Sequence, residues 1–493
     1  MDPAEFRANG YQLVDWIAAY LDDPSRYPVL AQVRPGDIAA ALPAAAPEQG
    51  EPFAQLFADF ERVILPGITH WNHPGFFAYF AITASAPGVL AEFLSAALNQ
   101  QAMLWRTSPA ATELEAVTLR WLRDLMGLDA GFEGVIYDTA SISTLHALAA
   151  ARERAVPGVR THGLAGRDLP RLRVYCSEHT HSSIDKAVIL LGLGHEGLRK
   201  IPADAEFRMR PDALAAAIAE DRAAGWLPLA VVATVGTTSS TSVDPVPAVA
   251  EICAREGLWL HVDAAYAGVA AIVPAFRHVL DGTERADSLV VNPHKWLFTP
   301  FDCSVLYCRH MDVLRQAFSL VPEYLRTSDA PDVRNLMDTG IQLGRRFRAL
   351  KLWWVLRHFG AEGLREHLAE HIRLARLFAD WVDADPDFER LAPVPFSVVC
   401  FRLKPYRSDG SDGSDGSGLG RAWTEAELAA LNQQAMDRIN AGGEIFLSHT
   451  KLNEQFALRI AVGHLKTTET HLRRAFELLK QEVDGGRQAV GGG

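Results

Sequence analysis

The chain has 493 residues, with 48 lysines and arginines against 60 aspartates and glutamates, a net charge of −12. That balance excludes a nucleic-acid backbone or an anionic membrane as the main partner, and the length leaves room for a sizeable core. Five scattered cysteines without a CxxC pair exclude a disulfide framework and a zinc ribbon, and with neither signal-peptide features nor an apolar run of ~18 residues a cytoplasmic enzyme is expected.

In chain order, Phe6, Tyr11, Leu13, Val14, Ile17, Tyr20 and Leu21 recur at helical spacing. They predict an N-terminal helical segment, residues 1–84, with a face to bury against another part of the protein or a second subunit. From 85 to 360 the pattern becomes alternating strands and helices. Short β-rich runs fall at 134–136, 173–176, 229–235, 259–262, 289–291 and 304–308, with helices at 141–153, 183–191, 211–224 and 246–256 between several of them. This predicts a large α/β domain on a mostly parallel, doubly covered sheet, whose ligands bind beyond the carboxyl ends of the strands. Residues 361–493 read as a small α+β domain, with strands at 396–403, 445–447 and 458–462 and a closing helix at 468–483. The Ser-Asp-Gly run at 408–420 reads as a surface insertion, and order is expected to end near Gly485. His367 and His371 share a helix with Arg365, Glu366 and Glu370, the pattern of a solvated face rather than a metal site.

No GxGxxG, GxxxxGK[ST], HExxH or GxSxG motif is present. The informative lysine is Lys295, in Asn292-Pro293-His294-Lys295-Trp296, directly after an apolar run. Desolvation there lowers an amine's pKa and makes it nucleophilic, although local context alone leaves a surface lysine equally open. Asp263, in His261-Val262-Asp263-Ala264-Ala265, follows another β-rich run and precedes Lys295 by enough residues for one crossover. A lysine for an aldehyde and an acid for a pyridinium nitrogen are the pair a pyridoxal phosphate (PLP) site needs. In the run 134–144, a strand leads through Thr139, Ala140 and Ser141 into a helix start, an anion site or a plain cap. The run 177–183 presents His181 after a further strand.

Together these four runs resemble the group II PLP-dependent decarboxylases, the aromatic-L-amino-acid decarboxylase family. The resemblance extends over nearly the whole chain, through the segment 69–80 and the runs at 108–115, 301–304 and 343–348. It implies the fold-type I architecture of aspartate aminotransferase, PLP as cofactor, no metal, and a homodimer with shared active sites. By the same resemblance Lys295 would hold the cofactor's aldehyde, Asp263 its ring nitrogen, and His181 and Ala265 its two faces. Thr139, Ala140, Ser141, Asn292 and His294 would hold the phosphate, with Thr238 near the ring. Trp71, Tyr79 and Phe80 would line the substrate pocket, where plain core packing is the alternative, and Gln101 and Met103 would reach in from the second subunit. The implied reaction converts phenylalanine, tyrosine, dopa or tryptophan to the arylalkylamine and CO2.

Two departures from the family pattern stand out, one in the loop and one in the pocket. The tyrosine that returns a proton to the substrate carbon falls at Leu336, in a loop from about 322 to 339, and the next aromatic position is Thr339. Relatives that replace that tyrosine tend to be aldehyde synthases, which combine decarboxylation with oxidative deamination, and this is the alternative activity. Met103 stands where an aromatic is frequent. Ser397 falls where the family alternates glycine and serine, and serine there favours phenyl over indole rings.

Overall fold

A computed structural model describes residues 1–320, 333–405 and 423–491, with side chains described as far as Gly485. The Ser-Asp-Gly run and the larger part of the 322–339 loop lie outside these residues. The chain divides into two compact units.

The first unit holds Met1–Ala81, Leu374–Leu391 and the chain from Val399 onward. Its helix α1 (Pro3–Asp22) is capped by the Asp2 carboxylate, which accepts the N–H groups of Ala4 and Glu5 at 2.8 and 2.9 Å. No residue of α1 is buried, and Phe6 and Tyr11 are more than half exposed. The expected apolar face is therefore open only in its N-terminal half, at Phe6, Tyr11, Leu13 and Val14, whereas Trp16 packs edge-on against Phe60 and the Tyr20 hydroxyl bonds His70 Nδ1 at 3.0 Å. Two short helices follow, α2 (Asp37–Ala41) and α3 (Phe53–Asp59).

The second unit, Ile82–Arg373 with Ala392–Val398, carries the large sheet. Helices α4 (Ala86–Leu98) and α5 (Pro109–Met126) precede it. Then come β1 (Glu133–Tyr137), α6 (Ala140–Ala155), α7 (Val159–His162), β2 (Leu172–Ser177), α8 (Ser183–Leu190), β3 (Leu198–Ile201), α9 (Pro211–Ala223), β4 (Leu227–Thr234), α10 (Val246–Glu256) and β5 (Trp259–Asp263). The run closes with β6 (Ser288–Val291), α11 (Pro293–Trp296), β7 (Ser304–Cys308) and α12 (Met311–Phe318). The strand order is β1-β7-β6-β5-β4-β2-β3. Only β7 runs against the others, pairing antiparallel with β1 and β6. β4 reads Leu-Pro-Leu-Ala-Val-Val-Ala-Thr and is buried along nearly its whole length, as a strand covered on both faces must be. Against the sheet lies α6, whose residues Ala147–Ala151 are all buried; small side chains let it approach closely.

Helix α13 (Ala349–Ala384) breaks at Gly360, whose φ of 63° suits glycine best. Beyond it lie β8 (Phe388–Arg390), β9 (Val398–Leu403), α14 (Glu425–Ala441), β10 (Ser448–Leu452), β11 (Gln455–Ala461) and α15 (Glu469–Gly491). The second sheet has the order β10-β11-β9-β8. Phe378 packs edge-on to Phe401, and Phe388 stacks on Phe476 of α15 with centroids 4.9 Å apart.

Several expectations are corrected. The strand expected at 445–447 is a single bridge between Phe446 and Phe76, and the strand proper is the polar β10. The last helix continues past Gly485, because adding residues to an existing helix costs little compared with starting one. His371 is not on a solvated face: it is buried and its Nδ1 accepts the Trp296 indole N–H at 3.0 Å.

Candidate active site

Parallel strands bring their carboxyl ends to one edge. Register pairs Thr234 with Asp263 and Asp263 with Val290, while Tyr137 faces Ser304 at the start of the reversed strand β7. The residues just beyond these ends are therefore neighbours by topology: Asp138 and Thr139 after β1, His181 after β2, Thr238 after β4, Ala265 after β5, and Asn292 to Lys295 after β6.

Asp263 ends β5, is buried, and accepts the Ala265 N–H through Oδ1 at 3.1 Å. Lys295 lies on α11, a single turn started by Pro293 at its first position. Burial lowers the Lys295 amine below lysine's ordinary pKa, and the Asp263 carboxylate opposes that shift. Burial likewise lowers His181; Asp263 pulls its pKa up and Lys295 pushes it down. The structure thus brings Lys295, Asp263 and His181 within mutual electrostatic range. His181 keeps part of its surface exposed, and its Nδ1 accepts the Ser183 N–H at 3.1 Å.

Around this trio, His294 is buried and its Nδ1 accepts the Cys303 N–H at 2.8 Å; burial, with Lys295 beside it, lowers its pKa to about 3. Asn292 is buried, and its side-chain oxygen has no hydrogen-bond partner among the described residues. Thr139 occupies the N-cap position of α6 without a side-chain capping bond, and the first amides of that helix, including those of Ala140 and Ser141, have no partner within the helix. Thr238 is exposed on a turn that begins at Gly236, where φ is 93° and a Cβ would stand 2.7 Å from that of Ala267. The turn is pinned from beneath by Asp244, which accepts the Thr234 and Met209 N–H groups at 2.8 and 2.7 Å.

Gln101 accepts the Arg345 N–H at 2.7 Å, and the Met103 carbonyl accepts that of Met337 at 3.1 Å, so both bear on the segment after the loop. In that segment Leu336 is 3% exposed and packs with the core of the large sheet. Ser397 is fully buried with its hydroxyl on that of Tyr266, which itself stacks on Trp296. Trp71, Tyr79 and Phe80 belong to the first unit. There Trp71 stacks between Phe76 and Tyr79, and the Arg459 guanidinium lies over Phe80. Tyr79 is about half exposed at a φ of 51°.

A family model for the pyridoxal-dependent decarboxylase conserved domain matches residues 35–404. Tryptophan decarboxylase 2 of Oryza sativa subsp. japonica is 42% identical over 98% of this chain and 95% of that protein. Phenylacetaldehyde synthase of Arabidopsis thaliana is 40% identical over 98% of this chain and 96% of that protein. The crystal structure of Oryza sativa TDC with PLP and tryptamine matches with a TM-score of 0.92 at 39% identity, over 98% of this chain and 99% of that one. The large sheet and these matches define a PLP enzyme of fold type I. Within that class, the chain belongs to the pyridoxal-dependent decarboxylase family, and it is a PLP-dependent carboxy-lyase.

The residues present fit the cofactor. A desolvated amine, a carboxylate one strand away and a helix N-terminus share one edge of the sheet.

Proposed function

We propose that the protein decarboxylates an aromatic L-amino acid to its arylalkylamine and CO2, with Lys295 holding the PLP aldehyde and Asp263 the ring nitrogen. The observation that carries the reading is the desolvated Lys295 amine beside Asp263 at adjoining strand ends. Full-length similarity to a tryptophan decarboxylase supports the substrate class. When bound, PLP supplies an aldehyde that takes up the substrate amine and a ring that accepts the electrons left as CO2 departs. Thr139, Ala140, Ser141, Asn292 and His294 would hold its phosphate, His181 and Ala265 its faces, and Thr238 would lie near the ring. Trp71, Tyr79 and Phe80, with Gln101 and Met103 of a second subunit, would surround the substrate side chain.

A homodimer is part of this reading. Leu90, Phe93, Leu94 and Leu98 form one stripe on α4, each 45–56% exposed, and Phe6, Tyr11, Leu13 and Val14 of α1 are exposed as well. We assign the protein to the cytoplasm, where thiols stay reduced; none of its five cysteines forms a disulfide among the described residues. Among the described residues no helix is long and apolar enough to cross a membrane.

A second reading, aldehyde synthesis, rests on Leu336, an aliphatic side chain with no proton to give, and on the similarity to phenylacetaldehyde synthase. One experiment decides: incubate the PLP-loaded protein with tryptophan, tyrosine, phenylalanine and dopa, and quantify amine, aldehyde, ammonia and peroxide. Amine with CO2 is expected. Equal release of aldehyde, ammonia and CO2 would support the second reading, and no turnover of any of the four would overturn both.

A further inference from the structure

Two residues, Asp138 and Thr139, form the whole turn between β1 and α6. The Thr139 N–H donates to Asp138 Oδ1 at 2.6 Å, and the Thr139 hydroxyl donates to the same oxygen at 3.1 Å. The other carboxylate oxygen, Oδ2, accepts from Gln342 Nε2 at 3.4 Å. A carboxylate beside the positive end of a 16-residue helix is stabilised by the same amides and dipole that would favour a phosphate. One N–H and one hydroxyl cannot serve two anions at full strength, and two anions so close repel each other.

We propose that Asp138 sets the affinity for PLP, its carboxylate competing with the cofactor's phosphate for the Thr139 donors. The inference rests on the reading that Thr139, Ala140 and Ser141 hold that phosphate. For the phosphate to take these donors, the Asp138 carboxylate must turn away from Thr139. Gln342 is a neutral donor already in contact with it, and it lies directly after the turn at 336–341. Cofactor binding is thereby linked to the segment that carries Leu336.

The test is the dissociation constant of PLP, measured by fluorescence titration of the full-length protein stripped of cofactor by dialysis. Asp138→Asn and Asp138→Ser should each bind PLP about two- to fivefold more tightly, the scale of one partly screened charge contact. Both should also melt at a lower temperature before PLP is added, because the helix end loses its compensating charge. A merely structural Asp138 would give lower melting together with weaker binding. Thr139→Ala and Ser141→Ala are the controls for the phosphate site and should weaken binding. If they do, and neither Asp138 variant binds more tightly, the competition is overturned while the phosphate site stands. If the controls leave binding unchanged, the phosphate reading falls and the inference with it.

Discussion

An amine in water at neutral pH is almost wholly protonated, whereas burial makes the free base of Lys295 accessible at a smaller cost. Lys295→Ala removes that nucleophile and leaves the helix-end donors of α6 untouched. The variant should still bind PLP, more weakly, but lose both turnover and the absorbance of lysine-bound cofactor. A spectrum and a product assay on the same sample check this, and persistence of both signals would place the attachment elsewhere. Lys295, Asp263 and His181 were legible because each follows an apolar run, and a polar group at the end of a buried strand has few purely structural reasons to be there. Asp138 was in plain view but silent, since its part depends on which way a carboxylate turns. His371 was misread because its neighbours in sequence are charged, while its partner Trp296 is 75 residues away.

Elements were legible in proportion to how strongly burial stamps a period on them. β4 and β5, buried on both faces, stand out as apolar runs. The edge strand β3 reads Leu-Arg-Lys-Ile, with only its two ends buried, and β10 reads Ser-His-Thr-Lys-Leu; neither carries an apolar run. The turn at 336–341 is another element that no periodicity announces. The Tyr137 hydroxyl donates to the Thr339 carbonyl, and the Ile341 N–H donates to His146 Nε2 at 3.3 Å. Gly340 lies between them, and a Cβ there would stand 2.8 Å from His146 and 2.9 Å from Tyr137, both ring atoms of packed side chains. Gly340→Ala should therefore cost about 1–3 kcal/mol by overpacking. Thermal unfolding measures it, and a melting temperature equal to the parent's would show that the rings give way freely.

At the scale of the whole molecule, the apolar stripe on α4 and the exposed N-terminal half of α1 call for cover that the single chain does not supply. Leu94→Glu places a charge in that stripe without touching the sheet; on the proposed homodimer, light scattering coupled to size exclusion should show a shift from dimer toward monomer, and a parent chain that is already monomeric would overturn the pairing. A second whole-molecule property follows from buried histidines. Burial lowers His146 and His294 to about 3 and His261 to about 4, from an ordinary 6.5. Unfolded, each binds a proton from about pH 6.5 downward; folded, each stays neutral until far lower. Their contribution is complete above pH 6.5 and is lost as the pH falls toward 4. At pH 5 the loss is about 2 kcal/mol for each fully buried ring. Asp244 acts in the opposite sense: burial raises it to about 6, so it takes up a proton in the folded state and returns about 1–2 kcal/mol at pH 5. Three histidines outweigh one aspartate, so the melting temperature should fall steadily from pH 7 to pH 5. His146→Gln, which keeps an acceptor for the Ile341 N–H but cannot titrate, should flatten that slope by roughly one histidine's share. A melting temperature independent of pH over this range would mean that the rings reach water, or are already charged, in the folded protein.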